Sequence, residues 1–158
     1  MIKKKGVINV DVPVEDGWRI TQQKEKIGWC MPFCVDFKDI DEYHFYVKID
    51  AKVGGFRKIF EMNGEITTYD DSNKLIKFTM EDPNAIIFGT IQAVSDSETK
   101  TKVVYDLGLE GKGTFAKIFI QMVRGQWDRR VAEFSDSLKG VLENINPETK
   151  LSVSRRIG

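Results

Sequence analysis

Two cysteines and one histidine are the side chains here that could bind a metal or carry thiol chemistry. The cysteines are Cys30 and Cys34, in the stretch GWCMPFC, and the histidine is His44. A structural zinc site takes about four cysteine, histidine or carboxylate ligands. Three residues fall short of that within one chain, although a site shared between two protomers stays open. The C-x3-C spacing also differs from the C-x-x-C of redox pairs. We therefore expect no metal and no cofactor.

Acid–base catalysis would need a titratable side chain directed into a cavity. The candidates are Tyr105, Lys58 and Arg130. Each has a simpler explanation, because a tyrosine hydroxyl often finds a backbone partner and lysine and arginine stems pack on apolar surface. His44 falls on the polar face of its strand, so we expect it to be exposed. The sequence contains no nucleophile–base pair or phosphate-binding loop, so we expect a protein that is not an enzyme, while catalysis stays open.

The composition predicts one soluble domain. The chain has 158 residues, and 24 lysines and arginines balance 24 acidic residues, so no net charge favours nucleic acid. The most basic stretch, VRGQWDRR, is interrupted by Asp128 and followed by Glu133. No apolar run reaches the roughly 20 residues that span a bilayer. The first residues also lack the apolar segment of a signal peptide. We expect a cytoplasmic protein.

Alternating apolar residues predict a strand over 3–12, and Pro13 then opens a helical region that Pro32 ends. Gly28 and a polar stretch within this region indicate two short helices. A series of antiparallel strands joined by short turns follows. In the first of them, Tyr43 to Val53 alternate inward apolar and outward polar residues. The strand-like segments are EYHFYVKIDAKV, FRKIFEMNGEITTYD, KLIKFTME, AIIFGTIQAV and TKTKVVYDLGLEG.

Residues 114–145 carry apolar side chains at i+3, i+4 and i+7, which predicts one long amphipathic helix. Thr114 is its expected N-cap, and Pro147 ends it. Only this helix is long enough to cover a curved sheet with one apolar face. The sequence therefore predicts an α+β helix-grip fold: a curved antiparallel sheet wraps around a long C-terminal helix, and two short helices follow the first strand. The domain covers 1–146, and 147–158 form a polar tail.

Four segments carry a resemblance to a known family: Val12–Trp18, Cys30–Cys34, Lys52–Gly64 and Tyr105–Gly113. They resemble, in this order, the helix entry, the CLPGC-like corner, the glycine-containing hairpin and the tyrosine strand of the carbon monoxide dehydrogenase G-subunit family, which belongs to the START/polyketide-cyclase-like superfamily. The resemblance places Cys30 and Cys34 at one end of a cavity, where it implies that they are small buried fillers. The resemblance covers about residues 5–145. The chain departs from the family pattern at Phe33, where a glycine is usual.

This resemblance implies non-catalytic binding or transport of a hydrophobic small molecule, lipid-like or quinone-like. Some family members are implicated in recruiting a molybdenum hydroxylase to the membrane. Such a hydroxylase complex is therefore a candidate partner, and any membrane contact is expected to be at most peripheral. A cyclase or hydrolase on the same fold is the alternative.

The candidate ligand-binding residues are apolar or aromatic side chains of three regions: the GWCMPFC corner, the inward strand faces and the first half of the final helix. For most of them, ordinary core packing against that helix is the simpler explanation. The glycines of LEGKGTF would let the start of the helix move, so we expect a cavity mouth there. The predicted lining is Trp29, Phe33, Phe45, Val47, Phe60, Met62, Phe78, Met80, Tyr105, Phe115, Phe119 and Met122.

Overall fold

The computed structural model describes residues 1–53, 55–113 and 116–143. Within them the chain forms seven strands and four helices. The expected N-cap Thr114 and the predicted tail, 147–158, lie outside the described residues. The strands are β1 (Ile2–Val10), β2 (Cys34–Asp39), β3 (His44–Val53), β4 (Phe56–Asp70), β5 (Leu75–Glu81), β6 (Ala85–Ser97) and β7 (Lys100–Gly111). The helices are α1 (Val14–Thr21), α2 (Lys24–Trp29), α3 (Ala116–Arg124) and α4 (Trp127–Glu143).

All seven strands form one antiparallel sheet in the order β1-β7-β6-β5-β4-β3-β2. Strands β2 to β7 are consecutive hairpin neighbours, and β1 closes the row beside β7. Register shifts in β2, β4 and β6 mark bulges, which bend a sheet locally. The predicted helix-grip fold is confirmed, including the two short helices after the first strand. Strand β2 was not among the strands marked from the sequence, because CVDFKD has no clean alternation.

One apolar face of the sheet and one stripe of α4 form the core. On β3, Phe45, Val47 and Ile49 point inward and are buried, as the alternation predicts. Tyr43 was predicted to share this face. It precedes the first residue of β3 and is 45% exposed, but its ring contacts that of Tyr69, which packs against the core, with 5.8 Å between the ring centroids.

The single C-terminal helix predicted from the sequence is divided into α3 and α4. The break falls at Gly125 and Gln126, where the Gln126 N–H donates to the Val123 carbonyl at 2.9 Å. Glycine is among the weakest helix formers, and here it lies exposed at the bend. No helix among the described residues combines the length and apolar character needed to cross a bilayer.

Glycines opposite aromatic residues let neighbouring strands pack closely. Gly64 pairs with Phe45, and Gly108 pairs with Phe88. A Cβ atom built on Gly64 would lie 2.2 Å from the Phe45 ring, and one on Gly108 would lie 2.4 Å from the Phe88 ring. The ring therefore covers the space that a side chain would occupy, an arrangement that pins strand register.

We expect Gly64→Ala to lower the free energy of unfolding by about 1–3 kcal/mol, because the Phe45 ring must shift to admit a methyl group. Gly140→Ala is the matched control. It lies within α4 with open space around its Cβ position, so the same substitution should raise the free energy of unfolding by about 0.5–1 kcal/mol. Urea unfolding of both variants tests the prediction. An unchanged midpoint for Gly64→Ala would contradict it.

Candidate functional site

A cavity of about 90 Å³ lies between the sheet and the two C-terminal helices. Strands β3, β4, β6 and β7 form one wall, and the chain between α2 and β2 forms one end. Gln126, Trp127 and Arg130 are the lining residues whose side chains carry polar groups, but the surface that faces the cavity is almost entirely apolar. The lining residues are Met31, Pro32, Phe33, Ile49, Ala51, Phe60, Met62, Ala85, Ile87, Leu107, Leu109, Phe119, Val123, Gln126, Trp127, Arg130, Val131 and Phe134.

The GWCMPFC corner forms one end of this cavity. Helix α2 ends at Trp29, and the Cys34 N–H closes a turn onto the Met31 carbonyl at 3.2 Å. Phe33 has a φ of 63°, a left-handed conformation that costs a residue with a Cβ about 1–2 kcal/mol. Its ring lines the cavity and stacks under the guanidinium of Arg130, with 4.5 Å from Cζ to the ring centroid. Burial of the ring and this contact offset the backbone cost.

Arg130 is held by Gln126, which directly precedes α4, and by Glu133 on α4. Its Nη1 donates to Glu133 Oε1 at 2.7 Å, and its Nη2 donates to Gln126 Oε1 at 2.9 Å. The side chain is 18% exposed, whereas that of Glu133 is 45% exposed. The guanidinium is therefore fixed at the cavity wall while its counter-charge faces water.

Two buried donors beside the cavity have no hydrogen-bond partner in the described part of the chain. They are Nε of Arg130 and Nε1 of Trp127. A buried donor left unsatisfied costs about 1–3 kcal/mol, and most such groups in proteins are paired. Neither atom faces the cavity, because each is almost completely covered and the cavity surface is almost entirely apolar.

Seven of the predicted ligand-binding residues line a cavity. Phe33, Phe60, Met62 and Phe119 line the cavity described above. A second, smaller cavity of about 30 Å³ lies under α1 and α2. The predicted residues Phe45, Phe78 and Met80 line this second cavity, and Met31 lines both.

Four other predicted residues line neither cavity. Val47 is fully buried in the core, and Tyr105 is buried with its ring edge against Phe134. Trp29 and Met122 are half-buried. Phe115 lies outside the described residues. The inward strand face is longer than the cavity, so alternation places residues inward without telling which of them meet open space.

The sequence analysis did not select several residues that line the larger cavity. Two patterns in the sequence could have identified some of them. Trp127, Val131 and Phe134 follow one helical stripe that the sequence shows. Leu107 and Leu109 share the register of Tyr105, and Leu109 pairs with Ile87. Ala51 and Ala85 also line the cavity, and their small side chains leave open space there. That space can be recognised only in the tertiary structure.

Cys30 is buried and Cys34 is half-buried. Burial raises the pKa of Cys30 to about 12 and that of Cys34 to about 11. Cys30 Sγ lies 3.1 Å from the Lys26 carbonyl, and Cys34 Sγ lies 3.5 Å from the Asp36 carbonyl. Both cysteines are free.

The remaining candidates for chemistry lie away from both cavities. His44 is exposed, as predicted, and its Nδ1 lies 2.8 Å from Asp41 Oδ1. The hydrogen bond with His44 holds the pKa of the Asp41 carboxyl below its usual value. Lys58 lines neither cavity. The described residues contain no group of three side chains suited to hold a metal ion.

The family model for the G subunit of carbon monoxide dehydrogenase (CoxG) matches residues 6–143, from β1 to the end of α4. The chain belongs to the CoxG family. A search of curated proteins found no match. The matched range includes every lining residue of both cavities, so both lie within the part that the family shares.

Solved structures confirm the fold of this CoxG-family protein. A conserved protein from Geobacillus kaustophilus has a TM-score of 0.73 at 16% identity, covering 89% of this chain and 95% of its own. An aromatase/cyclase from a Streptomyces species has a TM-score of 0.69 at 11% identity, covering 93% and 97%. A START superfamily protein from Mycobacterium smegmatis has a TM-score of 0.62 at 14% identity, covering 91% and 99%. At such identities the likeness concerns the fold.

We expect both cysteines to react slowly with a thiol reagent at pH 8, because the thiolate is the reacting species. Against the ordinary value of 9.0, the raised pKa values lower the thiolate fraction about 100-fold for Cys34 and about 1000-fold for Cys30. The rate should rise as the pH passes 9 towards 11, with Cys34 reacting first. A titration with a disulfide reagent on the wild type and on Cys34→Ser measures this.

Denaturant is the control, because unfolding should bring both thiols to the rate of a free cysteine. Rapid reaction of both thiols in the folded protein at pH 8 would contradict the buried-filler interpretation.

Proposed function

We propose that this protein reversibly binds a hydrophobic small molecule in the cavity between the sheet and helices α3 and α4, without turning it over. The observation that carries the proposal is an apolar cavity in the middle of the fold, where close packing would be expected. Transfer of apolar surface from water into such a space favours binding. Ligand pockets are lined predominantly by apolar and aromatic side chains, and the lining of this cavity has the same character.

The size of the cavity limits its occupant. Pockets for drug-sized ligands measure about 300–1,000 Å³, whereas this cavity measures about 90 Å³. It admits a compact ring-sized molecule, or the end group of a longer lipid-like or quinone-like molecule. A longer ligand would require α3 to move.

Helix α3 is suited to such a movement. Exposed glycines lie near both of its ends, at Gly113 and Gly125, and no other group lies within 4 Å of the Cβ position of either. The helix has nine residues, and Phe119 and Val123 are its buried contacts. Displacement of α3 would widen the cavity without separating strands, so we propose α3 as the mouth.

The geometry favours binding over a cyclase or hydrolase reaction. Arg130 is the titratable side chain among the described lining residues, and it is paired with Glu133. Tyr105 and Lys58, the other candidate acids or bases, line neither cavity. An aromatase/cyclase shares the fold, but acid–base chemistry needs a suitable group within reach of the ligand.

The family description also supports an accessory role beside a carbon monoxide dehydrogenase-type molybdenum hydroxylase. In this proposal the bound molecule is carried to or from the hydroxylase, with at most peripheral membrane contact. The cytoplasmic location stays a prediction from the sequence. Size-exclusion chromatography of the two purified proteins, with and without an added quinone, tests the association. Separate elution in both conditions would contradict it.

Ala51→Phe should abolish ligand binding, because Ala51 is buried at the cavity wall and the added ring would occupy the cavity. The ¹⁹F line of 4-fluoro-α-methylstyrene, an apolar ring-sized probe, should broaden with the wild type and stay sharp with the variant. Mass spectrometry of the organic extract of natively purified wild type should show a hydrophobic compound that the variant lacks.

Ala132→Phe is the matched control, because Ala132 is exposed on α4 and the same added ring would project into solvent. It should bind the probe like the wild type. Equal binding by Ala51→Phe and wild type, with both folded by circular dichroism, would contradict the proposed site. Absence of probe binding and of any co-purified compound in the wild type would contradict the function itself.

A further inference from the structure

The two cavities lie one after the other along the inward face of the sheet. On β3, Ile49 and Ala51 line the larger cavity, and Phe45 lines the smaller one. Val47 points inward between them and lines neither cavity. Because inward residues follow one another along a strand at intervals of about 7 Å, a single side chain separates the two spaces on this strand.

Strands β4 and β6 repeat this arrangement with an inward glycine between the cavities. The two series are Met62, Gly64 and Ile66 on β4, and Ile87, Gly89 and Ile91 on β6. The atoms nearest to a Cβ built on either glycine belong to neighbouring side chains. The layer between the cavities on these strands is therefore made of side chains, which can shift without breaking the hydrogen bonds of the sheet.

Met31 closes this layer on the helix side. Among the described lining residues, it is the one that the two cavities share. Its backbone is fixed in the turn after α2, because its N–H donates to the Gly28 carbonyl at 3.1 Å and its carbonyl accepts from the Cys34 N–H at 3.2 Å. Its side chain is half-buried and unbranched with three rotatable bonds, so it can adapt to a neighbouring ligand.

We propose that the two cavities form one elongated site for an unbranched apolar chain, which passes from the larger cavity into the smaller one by displacing the Met31 side chain. The inference rests on the proposed function and specifies the shape of the bound molecule. Its wider end occupies the larger cavity, and its linear chain extends under α1 and α2.

The surface of the smaller cavity suits a hydrocarbon chain. The polar side chains of its lining are Thr21 and Lys24, and their polar atoms have partners elsewhere. Thr21 Oγ1 donates to the Trp18 carbonyl at 2.8 Å, and the Lys24 ammonium lies 3.1 Å from Asp39. What faces the cavity is almost entirely apolar. Since apolar cavities stay dry, a chain there gains van der Waals contacts without displacing bound water.

Two isomeric probes that differ only in the shape of the chain test the inference. 1-Butyl-4-fluorobenzene has a linear chain, and 1-tert-butyl-4-fluorobenzene carries the same four carbon atoms as a compact group. Methyl-¹³C-labelled methionines show where each probe lies, because Met62 lines the larger cavity, Met80 lines the smaller one, and Met1 lines neither. Both isomers should shift the Met62 methyl resonance. The linear isomer alone should also shift that of Met80, and Met1 should stay unchanged.

Dissociation constants from ¹⁹F titrations give a second measurement. The wild type should bind the linear isomer about 10-fold more tightly than the branched one, close to the effect of burying two methylene groups. Ile27→Phe should reduce this preference to within about 2-fold, because Ile27 lines the smaller cavity alone and the added ring would fill it. Ile59→Phe is the matched control, because Ile59 is 43% exposed and lines neither cavity. It should keep the preference.

Met31→Ala should increase the preference for the linear isomer about 3-fold or more, because the chain no longer has to displace the Met31 side chain. Circular dichroism and the affinity for the branched isomer check that each variant keeps its fold and its larger cavity. The methyl shifts in the wild type depend on no variant.

Three results would overturn the inference while leaving the proposed function in place. They are a Met62 shift by both isomers with no Met80 shift by the linear one, equal affinities of the two isomers for the wild type, and a preference that either Ile27→Phe or Met31→Ala leaves unchanged. By contrast, failure of both isomers to bind the wild type or to shift Met62 would count against the proposed function itself.

Discussion

Burial of the sheet's apolar concave face against α4 is the interaction on which the rest of this structure depends. Among the described elements α4 is the longest helix, and it supplies Phe134, Leu138 and Leu142, each no more than 1% exposed. Polar contacts fix the far end of the helix beside β1. The Lys139 ammonium donates to the Asn9 carbonyl, and Asp11 N–H donates to Glu143. The helix is thus anchored where its packing is complete.

At the N-terminal end of α4 the helices do not cover the sheet completely, and the cavity lies there. The chain bends at Gly125, so α3 and α4 meet the sheet at different places rather than as one continuous rod. Small side chains at Ala51 and Ala85 leave space beneath the bend. The polar residues of the wall are Gln126, which directly precedes α4, and Arg130 in the first turn of α4. The cavity therefore follows from a discontinuity in the same packing that holds the fold together.

The corner that carries both cysteines contributes shape rather than thiol chemistry. Its backbone turns through a left-handed residue, a conformation that glycine adopts freely. This chain has Phe33 there, at the position where the resemblance to the family leads one to expect glycine. The ring gains burial at the cavity and a face-on contact with Arg130. A residue that costs backbone energy is thus linked to the guanidinium at the cavity wall.

The sequence by itself determined the helix-grip fold, because period-two and period-3.6 patterns show directly which face of each element is apolar. It also identified His44 as exposed. Contacts between distant segments decided the rest. Alternation could not separate Phe60, which lines the cavity, from Val47, which is packed, because both lie on the same inward face. Nor could the pattern show that Arg130 stacks on Phe33, because these two residues are far apart in the sequence. Only the tertiary structure brings those residues together, since open space and unsatisfied donors are properties of how elements meet.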